Sequence, residues 1–260
     1  MTPLADLHLH LLAALDDGPR TWEDSLAMCR IAVSEGVRHT VALAHQSERW
    51  GVTPGQIRTA VLELRRLLVE QGIPLEVFPG AEVMAAPDLP EAWDTGRLLS
   101  IGDHRKYILI EMPHRLFIDL RPVVQRFVAR GVRVILAHPE QHPELLHESG
   151  RIEELIGMGC LVQVSSGNIT GPKTPADEAA LRAWFRRGCV HLLGSDGHSP
   201  RKRRPLLAAA AGKVQEWVGR EAAQAICGCN GERVLRGEVL TPAPPLAERR
   251  WWSFRTLFGT

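Results

Sequence analysis

The chain has 260 residues, 45% of them hydrophobic and 23% charged, which suits one large domain with a buried core. A formal charge of +1 excludes a global electrostatic pull toward nucleic acid or a membrane surface. No run of about 18 apolar residues occurs, which excludes a transmembrane helix, and the N-terminus lacks the basic start of a signal peptide.

Short apolar runs alternate with longer stretches of helical periodicity from one end of the chain to the other. Strands are expected at Leu4 to His10, His39 to His45, Leu75 to Glu82, Tyr107 to Glu111, Val132 to His138, Leu161 to Ser165 and Val190 to Asp196. Helices are expected between them at Thr21 to Glu35, Pro54 to Gln71, Asp119 to Arg130, Arg151 to Met158, Pro175 to Arg187 and Pro205 to Val218. Thr21, Thr53 and Thr174 stand where a helix wants an N-cap, the latter two just before a first-turn proline. Gly36, Gly72, Gly131, Gly159 and Gly188 stand where a left-handed C-cap wants glycine. Such alternation is the pattern of a parallel α/β fold, either a closed barrel related to the (β/α)₈ type or an open doubly wound sheet, and the barrel is the favoured reading. It is expected to span residues 1–240, followed by a proline-rich and then basic and aromatic tail over 241–260.

The five cysteines, Cys29, Cys160, Cys189, Cys227 and Cys229, have no disulfide-framework spacing and read as reduced thiols of a cytoplasmic protein. Cys227 and Cys229 lack a second pair with which to hold zinc.

Residues able to ligate metal fall at or just after the C-terminal ends of the expected strands. Strand one ends in Asp6-Leu7-His8-Leu9-His10, and alternation points His8 and His10 to the same side. His45, Glu82, Glu111, His138 and Asp196 close later strands, with His198 two residues after Asp196. In a barrel all these ends meet at one mouth, the place where such folds keep their active sites. Burying so many imidazoles and carboxylates together without cations would leave unpaired charge in a low-dielectric site. Nitrogen and carboxylate ligands without sulfur suit manganese, iron or zinc, and the number of ligands points to two or three ions. Clusters of that kind serve the hydrolysis of phosphate esters. The turn Asp16-Asp17-Gly18-Pro19 adds a further acid to the same mouth.

Taken together, Asp6-Leu7-His8-Leu9-His10, Asp16-Asp17-Gly18-Pro19, Gly80-Ala81-Glu82, Ile110-Glu111, Ala137-His138-Pro139-Glu140 and Ser195-Asp196-Gly197-His198 resemble the polymerase and histidinol phosphatase (PHP) superfamily. Within it they are similar to the capsule-type bacterial protein-tyrosine phosphatases, the CpsB/YwqE group. The resemblance implies a distorted (β/α)₇ TIM-like barrel and a trinuclear, usually manganese-dependent site (Mn2+, with iron or zinc as alternatives). It further implies that Asp17, in preference to Asp16, is a ligand. By that resemblance His8, His10, Glu82 and Asp196 hold one ion, Glu82 bridges to a second held by Glu111 and His138, and Asp17, His45 and His198 hold the third. The nucleophile would be a metal-bridging hydroxide. The implied substrate is a phosphotyrosine-bearing protein such as the tail of a bacterial tyrosine kinase in capsule or exopolysaccharide control.

The family commonly has Arg-Tyr after Ala-His-Pro-Glu, where this chain has Gln141-His142, so one bidentate phosphate clamp is missing. Arg203 fits the second phosphate-gripping arginine by spacing, with Arg201 and Arg204 as neighbours, and His142 is a candidate donor in place of the missing one. That departure keeps a small-metabolite phosphatase, acting for instance on histidinol phosphate, as an alternative. A non-catalytic metal-binding regulatory domain is a third reading; a nuclease is less favoured because no basic stripe runs through the barrel sequence. In the tail Arg249, Arg250, Trp251, Trp252, Phe254, Arg255, Leu257 and Phe258 suit either a membrane interface or partner groove, or packing back on the barrel. Peripheral attachment at the inner face of the membrane is the corresponding alternative for localisation.

Overall fold

The computed structural model describes residues 3–113 and 116–241, so the tail beyond Thr241 lies outside the described residues. Seven parallel strands follow one another in sheet order: β1 (Leu4–Asp6), β2 (Val37–Gln46), β3 (Glu76–Met84), β4 (Tyr107–Glu111), β5 (Arg133–Ala137), β6 (Leu161–Ser165) and β7 (Leu192–Gly194). Around them lie α1 (Trp22–Ser34), α2 (Pro54–Glu70), α3 (Leu89–Asp94), α4 (Arg121–Val128), α5 (Pro143–Leu146), α6 (Ser149–Gly157), α7 (Ser166–Thr170), α8 (Pro175–Arg186), α9 (Ala208–Val218), α10 (Arg220–Gln224) and, after a π-helical turn at Ala225–Cys229, α11 (Asn230–Leu235). The sheet closes on itself just past β1, where Leu7 N–H donates to Leu193 O at 3.1 Å and Asp196 N–H donates to His8 O at 2.7 Å. The result is the distorted seven-stranded barrel.

The helix starts form for the expected reasons. The Thr21 and Thr174 hydroxyls accept from the Asp24 and Asp177 amides, and Thr53 with Gln56 completes a capping box before Pro54. Helices α3, α5, α7, α10 and α11 were not expected. Each is one or two turns long, too short for a hydrophobic period to show.

Strand alternation divides the core in two. Between sheet and helices lies the larger cluster, which includes Leu64, Phe127, Trp184 and Leu193. Inside the barrel a smaller cluster gathers Ala5, Leu7, Val41, Leu43, Leu109, Ile135, Leu161 and Leu192 with Val234, Leu235 and Leu240 of the C-terminal segment. The segment from the π-helical turn through α11 therefore stops the lower end of the barrel. Its close approach requires a glycine: a Cβ on Gly231 would stand 2.4 Å from Leu7 Cδ2 and 2.7 Å from Ala5 Cβ. Above the interior cluster, at the C-terminal ends of the strands, the inner positions turn polar.

Candidate metal centre

On β2, β3, β4 and β7 the interior phase continues without a break into the mouth. His45 follows Leu43, Glu82 follows Gly80, Glu111 follows Leu109, and Asp196 follows Leu192 and Gly194, each in steps of two. On β1 and β5 it does not. Ala5 and Leu7 point into the barrel, so plain alternation would turn His8 away from it. Instead the Asp6 carboxylate accepts from His8 N–H at 3.1 Å, a local side-chain turn that ends the strand and resets the phase. The same Asp6 oxygen accepts from Ser195 N–H at 2.8 Å and so ties the ends of β1 and β7 together. On β5 the reset is made by His138, whose backbone is left-handed (φ 33°) directly after the inward-facing Ala137. Asp196 is left-handed as well (φ 56°), and strained non-glycine residues of this kind gather at functional sites.

Glu82, 1% exposed, is the hub. His8 Nε2 lies 3.1 Å from its carboxylate, His10 Nε2 3.2 Å, His45 Nδ1 3.3 Å and His138 Nε2 2.8 Å. Glu111 lies 3.0 Å from His45 Nδ1, and Asp17 lies 3.3 Å from His45 Nε2 and 3.4 Å from His198 Nε2. Asp196 lies 3.6 Å from His8 Nε2 and accepts from Arg203 Nη2 at 2.7 Å. Three sets of ligand atoms lie within 4.8 Å of one another: His8, His10 and Glu82; His45, Glu82 and Glu111; and His10, Asp17, His45 and His198. His138 and Asp196 stand beside these sets rather than within one, and His45 belongs to two of them, which differs from the division of ligands that the resemblance implies.

The tautomers at the hub show what kind of group it suits. His10 Nδ1 is 2.7 Å from the Asp16 carboxylate, which only accepts, so Nδ1 carries the proton and Nε2 presents a lone pair. His8 Nδ1 donates in the same way to Gln163 Oε1 at 2.9 Å. The two Nε2 lone pairs, 3.4 Å apart, then face each other and the Glu82 carboxylate, a contact of three acceptors that only positive charge can hold together. Protonation is one source of it. Burial alone would lower the His8 pKa, but the Glu82 and Asp196 charges overcome that and raise it to about 9. His45 is likewise raised to about 11, against its burial, by Asp17 and Glu111. Burial pushes Glu82 up, yet the surrounding imidazoles hold it well below its usual range. A divalent cation is the other source, and the buried nitrogen and carboxylate set without sulfur fits one. His138 Nδ1, buried and without a hydrogen bond, is a further donor of the same type.

Comparison with known proteins gives the barrel its relatives. The family model described as capsular polysaccharide synthesis, CpsB/CapC, matches residues 4–236. The chain belongs to the CpsB/CapC family. It is 30% identical to the tyrosine-protein phosphatase YwqE of Bacillus subtilis over 98% of this chain and 99% of that one. It is 26% identical to the tyrosine-protein phosphatase CpsB of Streptococcus pneumoniae, over 91% of this chain and all of the relative. Among solved structures it is similar to that of YwqE and CpsB, described as unique metal-dependent tyrosine phosphatases, with a TM-score of 0.87 at 27% identity over 95% of this chain and 100% of the other.

In this CpsB/CapC member the loop after β7 is folded so that Arg203 returns to the mouth. The Arg203 carbonyl accepts from His198 N–H at 2.8 Å and Ser199 N–H at 3.0 Å, while Ser199 Oγ accepts from the Lys202 and Arg203 amides. Arg201 and Arg204 are exposed. His142 is buried at the start of α5, with its carbonyl accepting from the Leu145 and Leu146 amides, and falls in none of the three sets of metal-competent atoms. Gln141 is partly exposed on the 3₁₀ turn after His138. Cys227 is buried, its thiol pushed up to about 12 by desolvation, and Cys229 is exposed; both are free thiols.

Some site residues escaped the sequence reading. Asp16, the acid set aside in favour of Asp17, is the buried one. It accepts from His10, from His45 N–H at 2.9 Å and from Gly18 N–H at 2.9 Å, and so orients the ligand ring rather than standing at the open side. Gln163 does the same for His8, and a glutamine inside the apolar run Leu-Val-Gln-Val-Ser was the available signal. Glu140 ties His138's turn to β6 and α7 by accepting from Ser165 N–H and Asn168 Nδ2.

Proposed function

We propose that this protein is a metal-dependent protein-tyrosine phosphatase of capsule or exopolysaccharide synthesis, with two or three divalent cations, manganese foremost, held at the barrel mouth. The observation that carries the reading is the convergence of His8 Nε2 and His10 Nε2 on one oxygen of the buried Glu82 carboxylate, in a chain similar along its whole length to named tyrosine phosphatases. His8, His10, Asp17, His45, Glu82, Glu111, His138, Asp196 and His198 would hold the cations. When bound, such ions neutralise phosphoryl oxygens and acidify the attacking water.

The chain's own residues do the rest. Asp16 and Gln163 keep the His10 and His8 lone pairs directed inward. Arg203, half-exposed and anchored through Asp196, presents a guanidinium at the rim as the phosphate-binding arginine. With Gln141 in place of a second arginine, phosphate binding rests more heavily on Arg203 and the cations. A tyrosine ester suits a site of this kind because the phenolate, with a pKa of about 10, departs with less help from a proton donor than an alkoxide does. The proposed partner is a phosphotyrosine-bearing protein, a tyrosine kinase tail first among them. No helix among the described residues is long and apolar enough to cross a membrane.

Phosphate release from a phosphotyrosine peptide and from histidinol phosphate tests this, using chelated protein reconstituted with manganese. Turnover of the peptide that requires metal and is lost in His138→Ala is the expected result. Turnover of histidinol phosphate alone would replace the proposal with a metabolite phosphatase.

A further inference from the structure

We infer that Trp50 is the platform on which the aromatic ring of the substrate stacks, and that it sets the preference for aryl over alkyl phosphate esters. The inference rests on the phosphatase reading above and names how that site selects its substrate. Trp50 sits in the turn that follows β2, closed by Trp50 N–H and Gly51 N–H donating to Ser47 O at 3.2 and 3.0 Å. That turn starts immediately beyond His45 and Gln46, so its indole stands at the rim of the metal centre. Its ring is 9° from parallel with the His45 imidazole, at a centroid separation of 6.4 Å. The His45 ring is held from both sides. Both His45 nitrogens are engaged, Nε2 with Asp17 and Nδ1 with Glu82 and Glu111, so the imidazole plane is fixed and the indole beside it is aligned to the centre.

Packing against the core cluster explains only part of the side chain, because Trp50 remains partly exposed. Over its ring lies the guanidinium of the exposed Arg49, 4.8 Å from the centroid. A cation placed over the indole in this way shows that this face of the ring is open to a group outside the core. A phosphoryl group held beside His45 carries its ester oxygen directly on the phenyl ring of tyrosine, so the ring must leave the centre across the neighbouring wall. Trp50 offers that wall an aromatic face, and a displaced Arg49 can turn toward the phosphoryl oxygens. The carbon next to the ester oxygen of phosphoserine has no ring to place there. Offset stacking of two aromatic rings contributes about three- to tenfold in affinity.

The test compares metal-loaded wild type, Trp50→Leu and Trp50→Phe. Competitive inhibition by phenylphosphonate and by methylphosphonate is measured, together with kcat/KM for a phosphotyrosine peptide. The expected result is that the ratio of the two inhibition constants moves by about three- to tenfold toward methylphosphonate in Trp50→Leu, and that Trp50→Phe restores most of it. A ratio unchanged in Trp50→Leu, or both constants weakening together, would assign Trp50 to packing and overturn the inference. Wild type that turns over no phosphotyrosine peptide would overturn the underlying reading, which separates the two failures.

Discussion

Replacing Asp16 by asparagine probes the device that points the hub ligands inward. The Asp16 side chain is fully buried, and its carboxylate accepts three hydrogen bonds: one oxygen takes His10 Nδ1–H and His45 N–H, the other takes Gly18 N–H. An asparagine has one acceptor and one donor end. If its NH₂ faces Gly18, one buried donor loses its partner and the remaining two bonds lose their charge. Together this costs about 3 kcal/mol. If its NH₂ faces His10, that ring must switch tautomer, its Nε2 becomes a donor, and a lone pair is withdrawn from the hub. Either orientation weakens the centre, and loss of such an outer partner lowers metal affinity by about 10- to 100-fold. Urea unfolding of metal-free protein and manganese titration against a competing chelator read the two effects separately. Manganese affinity within about twofold of wild type would refute the claim that Asp16 orients His10 toward a metal.

Other consequences can be measured as directly. A Cβ on Gly194 would stand 2.4 Å from His8 Cβ and 2.6 Å from Gln163 Nε2, so Gly194→Ala should destabilise the fold by about 1–3 kcal/mol and displace His8, seen as lower melting temperature and weakened metal binding. The Tyr107 hydroxyl donates to Glu238 O at 2.6 Å and accepts from Leu240 N–H at 2.7 Å, tying the C-terminal segment to β4. Tyr107→Phe should cost about 1–3 kcal/mol in urea unfolding while leaving metal stoichiometry unchanged. His191, far from the mouth, accepts from Val162 N–H and is held neutral by burial and by Arg133, which bring its pKa down to about 4. An unfolded chain binds this proton near pH 6.5, so stability is complete above that value and falls with pH down to about 4, by about 3 kcal/mol. Stability measured at pH 7 and pH 4 should fall less in His191→Gln, by that difference; an equal fall in both proteins would contradict the assignment.

Much of the barrel could be read in the sequence because its determinants are local. Apolar runs marked each strand, and Thr21, Thr53 and Thr174 marked helix starts that the structure caps with those hydroxyls. Gly36, Gly72, Gly131, Gly159 and Gly188 all have positive φ after a helix, as their positions required. What could not be read depends on contacts between distant segments. The stopper from the π-helical turn through α11 is rich in glycine and cysteine and shows no apolar period, and its place follows only from the close fit of Gly231 to Leu7 and Ala5. At the candidate site, strand ends named the right neighbourhood for His45, Glu82, Glu111 and Asp196, because alternation carries them inward. It does not do so for His8 or His138. Their arrival depends on the Asp6 turn and on a left-handed backbone, neither of which has a hydrophobic signature. The difference between Asp16 and Asp17 is likewise tertiary, since adjacent acids in a turn look alike until one finds His10.

The central claim, that the barrel mouth is a metal centre organised by Glu82 and used for phosphotyrosine hydrolysis, is tested most directly by elemental analysis coupled to turnover. Wild type and Glu82→Ala are reconstituted with manganese, freed of excess, and measured for bound metal per chain and for phosphate release from a phosphotyrosine peptide. We expect about two or three ions per chain and turnover abolished by chelation in wild type, with both metal and turnover lost in Glu82→Ala. Phosphate release that survives complete removal of metal, or metal content untouched by loss of Glu82, would contradict the account.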